Sequence, residues 1–506
     1  MSAPLVLVVG AGPTGMTMAI ELKRFGLDVR VVDKSDHPAQ HSQALVVQAR
    51  TLEQMQRYGI AAQAVAQGRR LTKAMFWSEK KNIATFALDQ IPSRYPYVLF
   101  LPQNETEAIL NEKMESLGVK TERQTELVSF NQQGDSVSVA LRHSDGSQEQ
   151  ISPRWIIGCD GAHSTVREQA GIPFEGGGVG LSFFLGDLEI EGPDAPTDEL
   201  VIHLHKGNVV FMGRLSDKLT RVIVALHSQQ GEEGQRELSL QDFQQAVDEA
   251  GVQLKIRSSA WMTPFRVNDR QAAQYRAGNV FLAGDASHIH SPVGGQGMNT
   301  GMQDAANLAW KFAAVVRGAG EGLLNSYHEE RGKVGKALLR STERGLKAAT
   351  ASSPLIESVR DALLPVIAGL HPVQKAITAF ISETAIEYRS SSIVSDHGGD
   401  GALRAGDRMP DLTLRNSTLL EDWTDGKPLA LALDATDQEI QQVESGLQHA
   451  RVLPLRASDF DDEGRRLLGT EGKLLIIRPD GYVGFRGSIS RPSQWEAYAR
   501  QDGLKS

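Results

Sequence analysis

The chain has one cysteine, Cys159, in 506 residues. It has no internal partner, so a disulfide framework is excluded and nothing points to an oxidising compartment. The thiol reads as a small buried residue rather than a nucleophile. Long apolar runs are also missing. The stretch Leu5–Val9 is apolar, but it has neither a basic leader nor a small-residue cleavage site, so it reads as a first β-strand and not as a signal peptide. No run approaches the ~20 apolar residues that a membrane-spanning helix needs. No membrane partner and a cytoplasmic location are expected. Positive charge is scarce: 53 Lys and Arg stand against 62 Asp and Glu, a formal net charge of −9. Such a surface repels phosphate backbones, which makes nucleic acid a poor partner. No internal repeat or low-complexity tract is seen. His288 and His290 lie close together, yet no further close ligand accompanies them, so no metal site is expected.

What is present suits a large folded chain. Hydrophobic residues make up 41% and charged residues 23%, enough for a substantial core, and the length admits two to four domains. The chain opens as strand (Leu5–Val9), glycine-rich turn (Gly10–Gly15), helix (Thr14–Phe25) and second strand (Val29–Val32). Helices are expected from about Thr51 to Tyr58 and over Glu105–Leu117. Strand character runs through Thr121–Leu141 and returns at Trp155–Gly158. A β-rich stretch follows, with Leu185–Ile190, Leu200–His205, Val209–Gly213 and Val222–Leu226, and then a helix over Leu240–Ala250. Val280–Ala283 is another apolar strand. It leads through a glycine loop into a long helix, Asn299–Arg317, and further helices extend to about Thr350. Ser390–Gly401 is rich in Ser and Gly and reads as a linker.

Three motifs carry chemistry. Gly10-Ala11-Gly12-Pro13-Thr14-Gly15 follows a strand and opens a helix. Its glycines allow a tight turn and a close backbone approach to a pyrophosphate, which the helix N-terminus then meets with free N–H groups and the positive end of its dipole. Pro13 suits the first helical turn. Asp33 ends the second strand at the offset where a carboxylate takes a ribose hydroxyl and disfavours a 2′-phosphate. The second motif, Cys159-Asp160-Gly161-Ala162-His163-Ser164-Thr165-Val166-Arg167, also follows a strand. The third, Gly284-Asp285-Ala286-Ser287-His288, leads into Pro292-Val293-Gly294-Gly295-Gln296-Gly297-Met298-Asn299. There a carboxylate can take a polyol hydroxyl, and a helix N-terminus can face an anion.

These segments, with QALVVQARTLEQM and LPQNETEAIL between them, resemble in identity and order the FAD-dependent aromatic hydroxylases, over the first two-thirds of the chain. The resemblance implies an α/β fold. A Rossmann-like FAD-binding domain would have its first part at 1–180, with about 70–100 contributing to the substrate domain. A β-rich substrate domain would occupy 181–265, the second part of the FAD domain 266–390, and a linker 391–405. A thioredoxin-like domain at 406–506, with no cysteine for thiol exchange, resembles that of the phenol and polyketide hydroxylases.

Carried over by motif position, Gly10, Gly12, Pro13, Thr14 and Gly15 would hold the pyrophosphate, and Asp33, with Lys34 beside it, the adenosine ribose. Gln103 would contact the FAD, and Asp160 would sit near the pyrophosphate. Gly284 and Asp285 would take the ribityl chain, and Pro292, Gly295, Gln296, Gly297, Met298 and Asn299 would lie beside the isoalloxazine. Gln43 stands where many relatives have Arg. Arg50 is either a cofactor contact or a structural ion-pair partner.

The implied reaction uses NADPH or NADH as reductant and O₂ as co-substrate. It hydroxylates a phenolic or polycyclic aromatic molecule through a flavin C4a-hydroperoxide, in a monomer or homodimer. Baeyer–Villiger oxygenation, epoxidation and dehydrogenation remain open alternatives, as does a nucleotide-binding regulator without turnover. No Trp-x-Trp-x-Ile-Pro element is present, which disfavours flavin halogenation. The sequence identifies no catalytic base. His203, His205, Phe211, Arg214 and His227 lie in the expected β-rich stretch. Alternation places His203 and His205 on one strand face, either lining a pocket or facing solvent. Trp77, Trp261 and Phe265 are either pocket walls or plain core.

Overall fold

Val6–Val9 is buried at every position because it forms an inner strand of a six-stranded sheet. The computed structural model describes residues 5–39, 44–227, 238–291, 294–351, 353–414, 417–423, 425–469 and 472–504. The strand order is Arg276–Ala277, Val280–Leu282, Trp155–Gly158, Val6–Val9, Val29–Val32 and Thr121–Glu122. The pairings are parallel except at the Arg276–Ala277 edge. The register sets Val9 opposite both Val32 and Gly158, and Gly158 opposite Leu282. Parallel strands end on one edge of their sheet. Gly10, Asp33, Cys159 and Ala283, each the next residue along its strand, therefore come together there, although up to 273 positions of sequence separate them. Helix Pro13–Arg24 lies against helix Gly297–Val316, whose residues from Asn299 to Val315 are buried.

The second sheet has eight strands, in the order His288–Ile289, Lys255–Ala272, Phe174–Glu191, Thr220–His227, Asn208–Arg214, Leu200–His205, Lys73–Ser78 and Lys81–Ala87. Lys73–Ala87 thus adds a hairpin from far upstream, joined by a parallel pairing with Leu200–Leu204. Phe174–Glu191 and Lys255–Ala272 are antiparallel strands of 18 residues each. The second of these was not expected as a strand: its polar, half-exposed sequence carries little apolar alternation. Helix Leu240–Glu249 starts at a capping box, Ser239 with Asp242. It covers one face of the sheet, burying Phe243 and Val247 against Leu188, Val201, Val210, Met212 and Val222. The other, inner face carries Phe183, Ile202, Leu204, Val209 and Val267.

Beyond Ser326–Ala349 come two further helices, Pro354–Ala368 and His371–Ile381. Among the described residues no single helix is long and apolar enough to cross a membrane. The segment Glu357–Ala368 with His371–Ile381 passes that test only as a pair bent by 97°, on length and composition alone.

The C-terminal part is a five-stranded sheet in the order Ser395–Asp396, Val483–Ser488, Lys473–Ile477, Leu429–Leu433 and Arg451–Leu455. Its two faces carry separate apolar clusters, one around Trp423 and one around Trp495. The expected linker 391–405 needs correction. Ser395 and Asp396 pair with Phe485 and Arg486, the Leu403 N–H bonds the Leu467 carbonyl, and Arg486 donates to the Leu403 carbonyl at 2.6 Å. The Ser- and Gly-rich composition signalled a free connector, but its backbone groups are taken up by the edge of the sheet.

Candidate functional site

The site is built where the strands of the first sheet end. Gly10 has φ +102°, and a Cβ there would lie 2.3 Å from the Cys159 carbonyl oxygen. A Cβ on Gly15 would lie 1.9 Å from the Gly10 oxygen, so the turn closes only with glycine at both positions. Gly12 faces open space and is the N-cap of the helix, with Pro13 at its first position. The first helical bond is from the Met16 N–H to the Gly12 oxygen, at 3.0 Å. The N–H groups of Thr14 and Gly15 have no acceptor among the described residues. They are two free donors at the positive end of a 12-residue helix.

Asp33 is tied to this turn. Its carboxylate accepts the Ala11 N–H at 2.7 Å and the Ser35 N–H at 2.8 Å. Lys34 is exposed. The Gln103 side chain accepts the Ala44 N–H at 3.1 Å and donates to Glu107 at 2.8 Å, latching helix Gln103–Ser116 to the segment after residue 43. Gln43 and Pro292 lie outside the described residues.

Asp160 shapes its own loop, accepting the Ser164 hydroxyl and the Val166 N–H. Ser164 in turn caps helix Thr165–Gln169. Burial pushes the Asp160 carboxyl up. Arg167 is a residue whose role the sequence did not reveal. It donates to the Ala286 carbonyl at 3.1 Å and to the Ala162 carbonyl at 3.0 Å, joining the second motif to the third.

The first and third motifs interlock at one atom. A Cβ on Gly284 would lie 2.5 Å from Thr14 Oγ1, and one on Gly301 would lie 2.4 Å from the same oxygen. Beside this contact Asp285 is exposed, and its carboxylate has no hydrogen-bond partner among the described residues. The surrounding protein is nevertheless dense enough to push that carboxyl up by desolvation. His288 bonds through Nε2 to Asp304 at 2.7 Å, and Arg331 donates to the other Asp304 oxygen at 2.6 Å. His288 is therefore a buried structural partner. Its neighbour His290 bonds the Ser291 carbonyl through Nδ1 at 2.8 Å, and burial lowers it to about 4. It is neutral at neutral pH. Among the described residues no group of His, Cys, Asp and Glu is arranged to hold a metal ion.

The glycine loop is pinned by Asn299. Its Nδ2 donates to the Val46 and Gly295 carbonyls, both at 2.8 Å, and its Oδ1 accepts the Gln48 N–H at 2.9 Å. Gln48 Nε2 reaches the Gly294 carbonyl at 3.0 Å, and Gln296 Nε2 the Phe380 carbonyl at 3.0 Å. Gly295 has φ +62° and packs so closely on Val46 that a Cβ would lie 2.8 Å from it. The N–H groups of Gly297, Met298 and Asn299 have no acceptor among the described residues. Two helix N-termini with free donors, a carboxylate strapped to one of them and an unpartnered carboxylate in the third motif form a donor set that fits FAD.

Other residues turn away from this site. Arg50 is buried, bonds Glu53 at 2.9 Å and the Asp480 carbonyl at 2.6 Å, and lies over the Tyr482 ring. Of its two expected roles, the geometry is that of the ion-pair partner.

The grouping of His203, His205, Phe211 and Arg214 around a pocket is corrected. Ile202 pairs with Phe211 and His203 with Val210, so Phe211 shares the inner face and His203 the helix-covered face. A Cβ on Gly213, on the Phe211 side, would lie 2.1 Å from the Phe100 ring, which places the inner face toward the Val46 segment. His203 is buried against Trp77, with ring centroids 6.2 Å apart, and His205 pairs with Glu79 at 3.0 Å. Arg214 bonds the Asp217 carbonyl in its own loop. Alternation was read correctly, but nothing in the sequence said which face a helix would cover. Phe265 stacks on Phe183 at 5.2 Å on the inner face.

Comparison with known proteins bears on the family of the chain. Residues 4–342 match the family model described as FAD binding domain, and residues 403–502 match aromatic-ring hydroxylase, C-terminal. The chain is 34% identical to 6-methylpretetramide 4-monooxygenase of Streptomyces rimosus, over 96% of this chain and 91% of that protein. It is 33% identical to pentachlorophenol 4-monooxygenase of Sphingobium chlorophenolicum, over 96% and 94%. The solved structure of an anhydrotetracycline hydroxylase from Streptomyces rimosus superposes with a TM-score of 0.82 at 27% identity, covering 100% of both chains.

Proposed function

This chain belongs to the FAD-dependent aromatic-ring hydroxylases, and on that premise we propose that it hydroxylates a phenolic or polycyclic aromatic substrate at the expense of NADPH or NADH and O₂. It is a flavoprotein monooxygenase that uses FAD. The observation that carries the reading is the meeting of three distant motifs: the first touches the third at Thr14, Gly284 and Gly301, beside the unpartnered Asp285, and the second at Gly10 and Cys159, while Arg167 of the second bonds the Ala286 carbonyl of the third.

Bound there, FAD supplies the electron transfer and oxygen activation. The chain's own residues bind and orient it. The Thr14 and Gly15 N–H groups face a pyrophosphate, and Asp33 takes the adenosine ribose with the lone pairs that Ala11 and Ser35 leave free. Asp285 accepts from a ribityl hydroxyl. The N–H groups of Gly297, Met298 and Asn299 would offer donors to the flavin ring and favour negative charge on it. The inner face of the eight-stranded sheet, with Ile202, Phe211, Phe183 and Phe265, supplies apolar walls that keep water from the reacting centre. His203 and His205 have no part in that wall.

We read the six-stranded sheet as Rossmann-like, because its strands meet at one edge around the glycine turn. The C-terminal sheet supports a thioredoxin-like reading. Leu429–Leu433, helix Asp437–Gly446 and Arg451–Leu455 form a parallel strand–helix–strand unit, followed by antiparallel Lys473–Ile477, Val483–Ser488 and a last helix.

The test is a panel of phenols and polycyclic aromatics scored by NAD(P)H consumption and product mass under mass-labelled O₂. One labelled oxygen atom in the product is expected. Label arriving only from water would overturn the reading.

A further inference from the structure

Five non-glycine residues among those described have positive φ: Glu79, Gln124, Lys206, Glu383 and Asp434. Only Glu383 is buried, at 3% exposure, with φ +60°. A side chain in this conformation costs free energy that the surroundings must offset, and such residues gather at functional sites. The surroundings here are specific. The Glu383 carboxyl accepts the Thr300 hydroxyl at 2.9 Å and the Gln303 amide. Both partners stand on helix Gly297–Val316, just past the free N–H groups of its first turn.

The backbone of the same turn is fastened in three more directions. The Phe380 carbonyl accepts Gln296 Nε2 from the glycine loop at 3.0 Å. The Ser382 carbonyl accepts the Arg50 N–H at 3.2 Å. The Thr384 carbonyl accepts Arg408 Nε, from the C-terminal part, at 3.3 Å. On its other side the turn continues helix His371–Ile381, which follows Pro354–Ala368. This helical pair exposes Leu363, Val366, Ile367 and Leu370 outward. Inward it sets Leu364 on the inner face of the substrate sheet and Ile377 and Ile381 on the main core. The turn therefore lies between the cover of the substrate face and the loop that meets the flavin.

We propose that Glu383 is a positioning residue: through Thr300, Gln303 and the Phe380–Gln296 bond it sets the glycine loop and the first turn of helix Gly297–Val316 according to where the helical pair rests on the substrate sheet. A molecule that shifts the pair thereby shifts the contacts offered to the flavin ring. This rests on the flavin-site reading above. The side chain acts by its bonds and not by its charge. Burial pushes its carboxyl up to about 8, against the hydrogen bonds from Thr300 and Gln303 and the nearby Arg331, with Asp304 adding to the rise, so it is held as the neutral acid at pH 7. A neutral amide of the same shape then serves in its place once Gln303 turns its amide over, so that its otherwise unpartnered Oε1 accepts from the new –NH₂.

The experiment compares Glu383→Ala, Glu383→Gln and Thr300→Val with the wild-type holoenzyme. It reads the FAD dissociation constant, the visible flavin spectrum with and without an aromatic substrate, and the peroxide released per NAD(P)H consumed. Glu383→Ala strands two buried donors, so FAD is expected to bind about tenfold more weakly or worse, with a larger peroxide share. The substrate-induced change in the flavin spectrum should also shrink. Thr300→Val should show the same signs more weakly, and it serves if the alanine variant does not fold. Glu383→Gln should restore all three readouts to within about twofold. A folded Glu383→Ala or Thr300→Val with unchanged FAD affinity, spectrum and peroxide share would overturn the proposal, as would a glutamine variant as impaired as the alanine one. A wild-type protein without flavin would instead sink the site reading itself.

Discussion

Glu330 and Arg478 form a buried two-point ion pair, Nη1 to Oε1 at 2.6 Å and Nη2 to Oε2 at 3.0 Å, between helix Ser326–Ala349 and the C-terminal sheet. Glu330 also accepts Lys311 Nζ at 2.8 Å, Asn307 Nδ2 at 2.7 Å and the Ser391 hydroxyl at 2.7 Å. Lys311 and Asn307 belong to helix Gly297–Val316, and Asn307 also donates to Asp480 at 3.1 Å, so the C-terminal part is held to that helix through the carboxylates of Glu330 and Asp480. Arg478→Met keeps the volume but strips Glu330 and Asp480 of their shared cation. A loss on the order of 3–5 kcal/mol is expected, because a buried charge is left short of its partner. Urea denaturation measures it. Adding Glu330→Gln to Arg478→Met should cost less than the sum of the two single changes, since one network is broken twice. Strict additivity would mean that the pair is not coupled.

Asp502 makes the same interface sensitive to pH. It is buried near Arg478 and Tyr498, one of its carboxyl oxygens has no partner, and burial pushes its carboxyl up to about 7 from 3.8. The folded chain holds this proton more tightly than the unfolded chain does. Its contribution to stability is thus complete below about pH 4 and is lost as pH rises through about 7. Glu383, raised to about 8, works in the same direction. Lys311, lowered to about 8, acts at higher pH and in the opposite sense, raising stability as pH climbs toward 10.5. Between pH 5 and 7.5 the wild type should lose on the order of 2 kcal/mol more than Asp502→Asn. Urea midpoints of both proteins at the two pH values give the difference, and equal slopes would refute the assignment.

The sequence made the first sheet and its edge legible for a physical reason. Each of its four inner strands is short, apolar and followed within two residues by glycine or aspartate, and a parallel sheet must bring such ends together. Leu200–His205 was read to the residue because its flanks are polar. The face it turns to the inner wall was not legible. Period-two alternation separates two faces, but helix Leu240–Glu249 covers one of them by a tertiary choice that leaves no mark on the strand. Lys255–Ala272 escaped notice because its polar side chains do not alternate with apolar ones. The segment 391–405 was misread because Ser and Gly mark freedom of the backbone, whereas pairing with Phe485 and Arg486 is set by a partner ninety residues away. Glu383 gave no local sign at all, since its strain and its burial exist only in the assembled chain.

Asp285 offers the simplest test of the site. Its carboxylate spends nothing on the protein, so removing it should leave stability nearly intact while depriving FAD of a charged acceptor. Asp285→Ala is expected to weaken FAD binding by roughly 10- to 100-fold, the range for one hydrogen bond to a charged group. The purified variant should emerge with little flavin and should regain it in excess FAD. Unchanged flavin content at equal folding would remove Asp285 from the site.

Asn299 gives a test in which shape and charge are pulled apart. Its amide donates to the Val46 and Gly295 carbonyls and accepts the Gln48 N–H, so both ends of the side chain are used inside the protein. Asn299→Ala leaves these groups buried without partners, at roughly 1–3 kcal/mol for each group that water cannot reach. Asn299→Asp is nearly the same shape and keeps the acceptor for Gln48. It turns a carboxylate oxygen toward two carbonyl oxygens, however, and buries a charge. The positive end of helix Gly297–Val316 favours that charge by up to about 2 kcal/mol. Two lost donors, two repulsive contacts and desolvation together exceed it. Asn299→Asp should therefore lose FAD at least as readily as Asn299→Ala, and its affinity should recover in part as pH is lowered and the carboxyl takes up a proton. Flavin retention on gel filtration at pH 5.5 and 8 checks both points. An aspartate variant that holds FAD like the wild type at pH 8 would show that Asn299 acts only through the Gln48 bond.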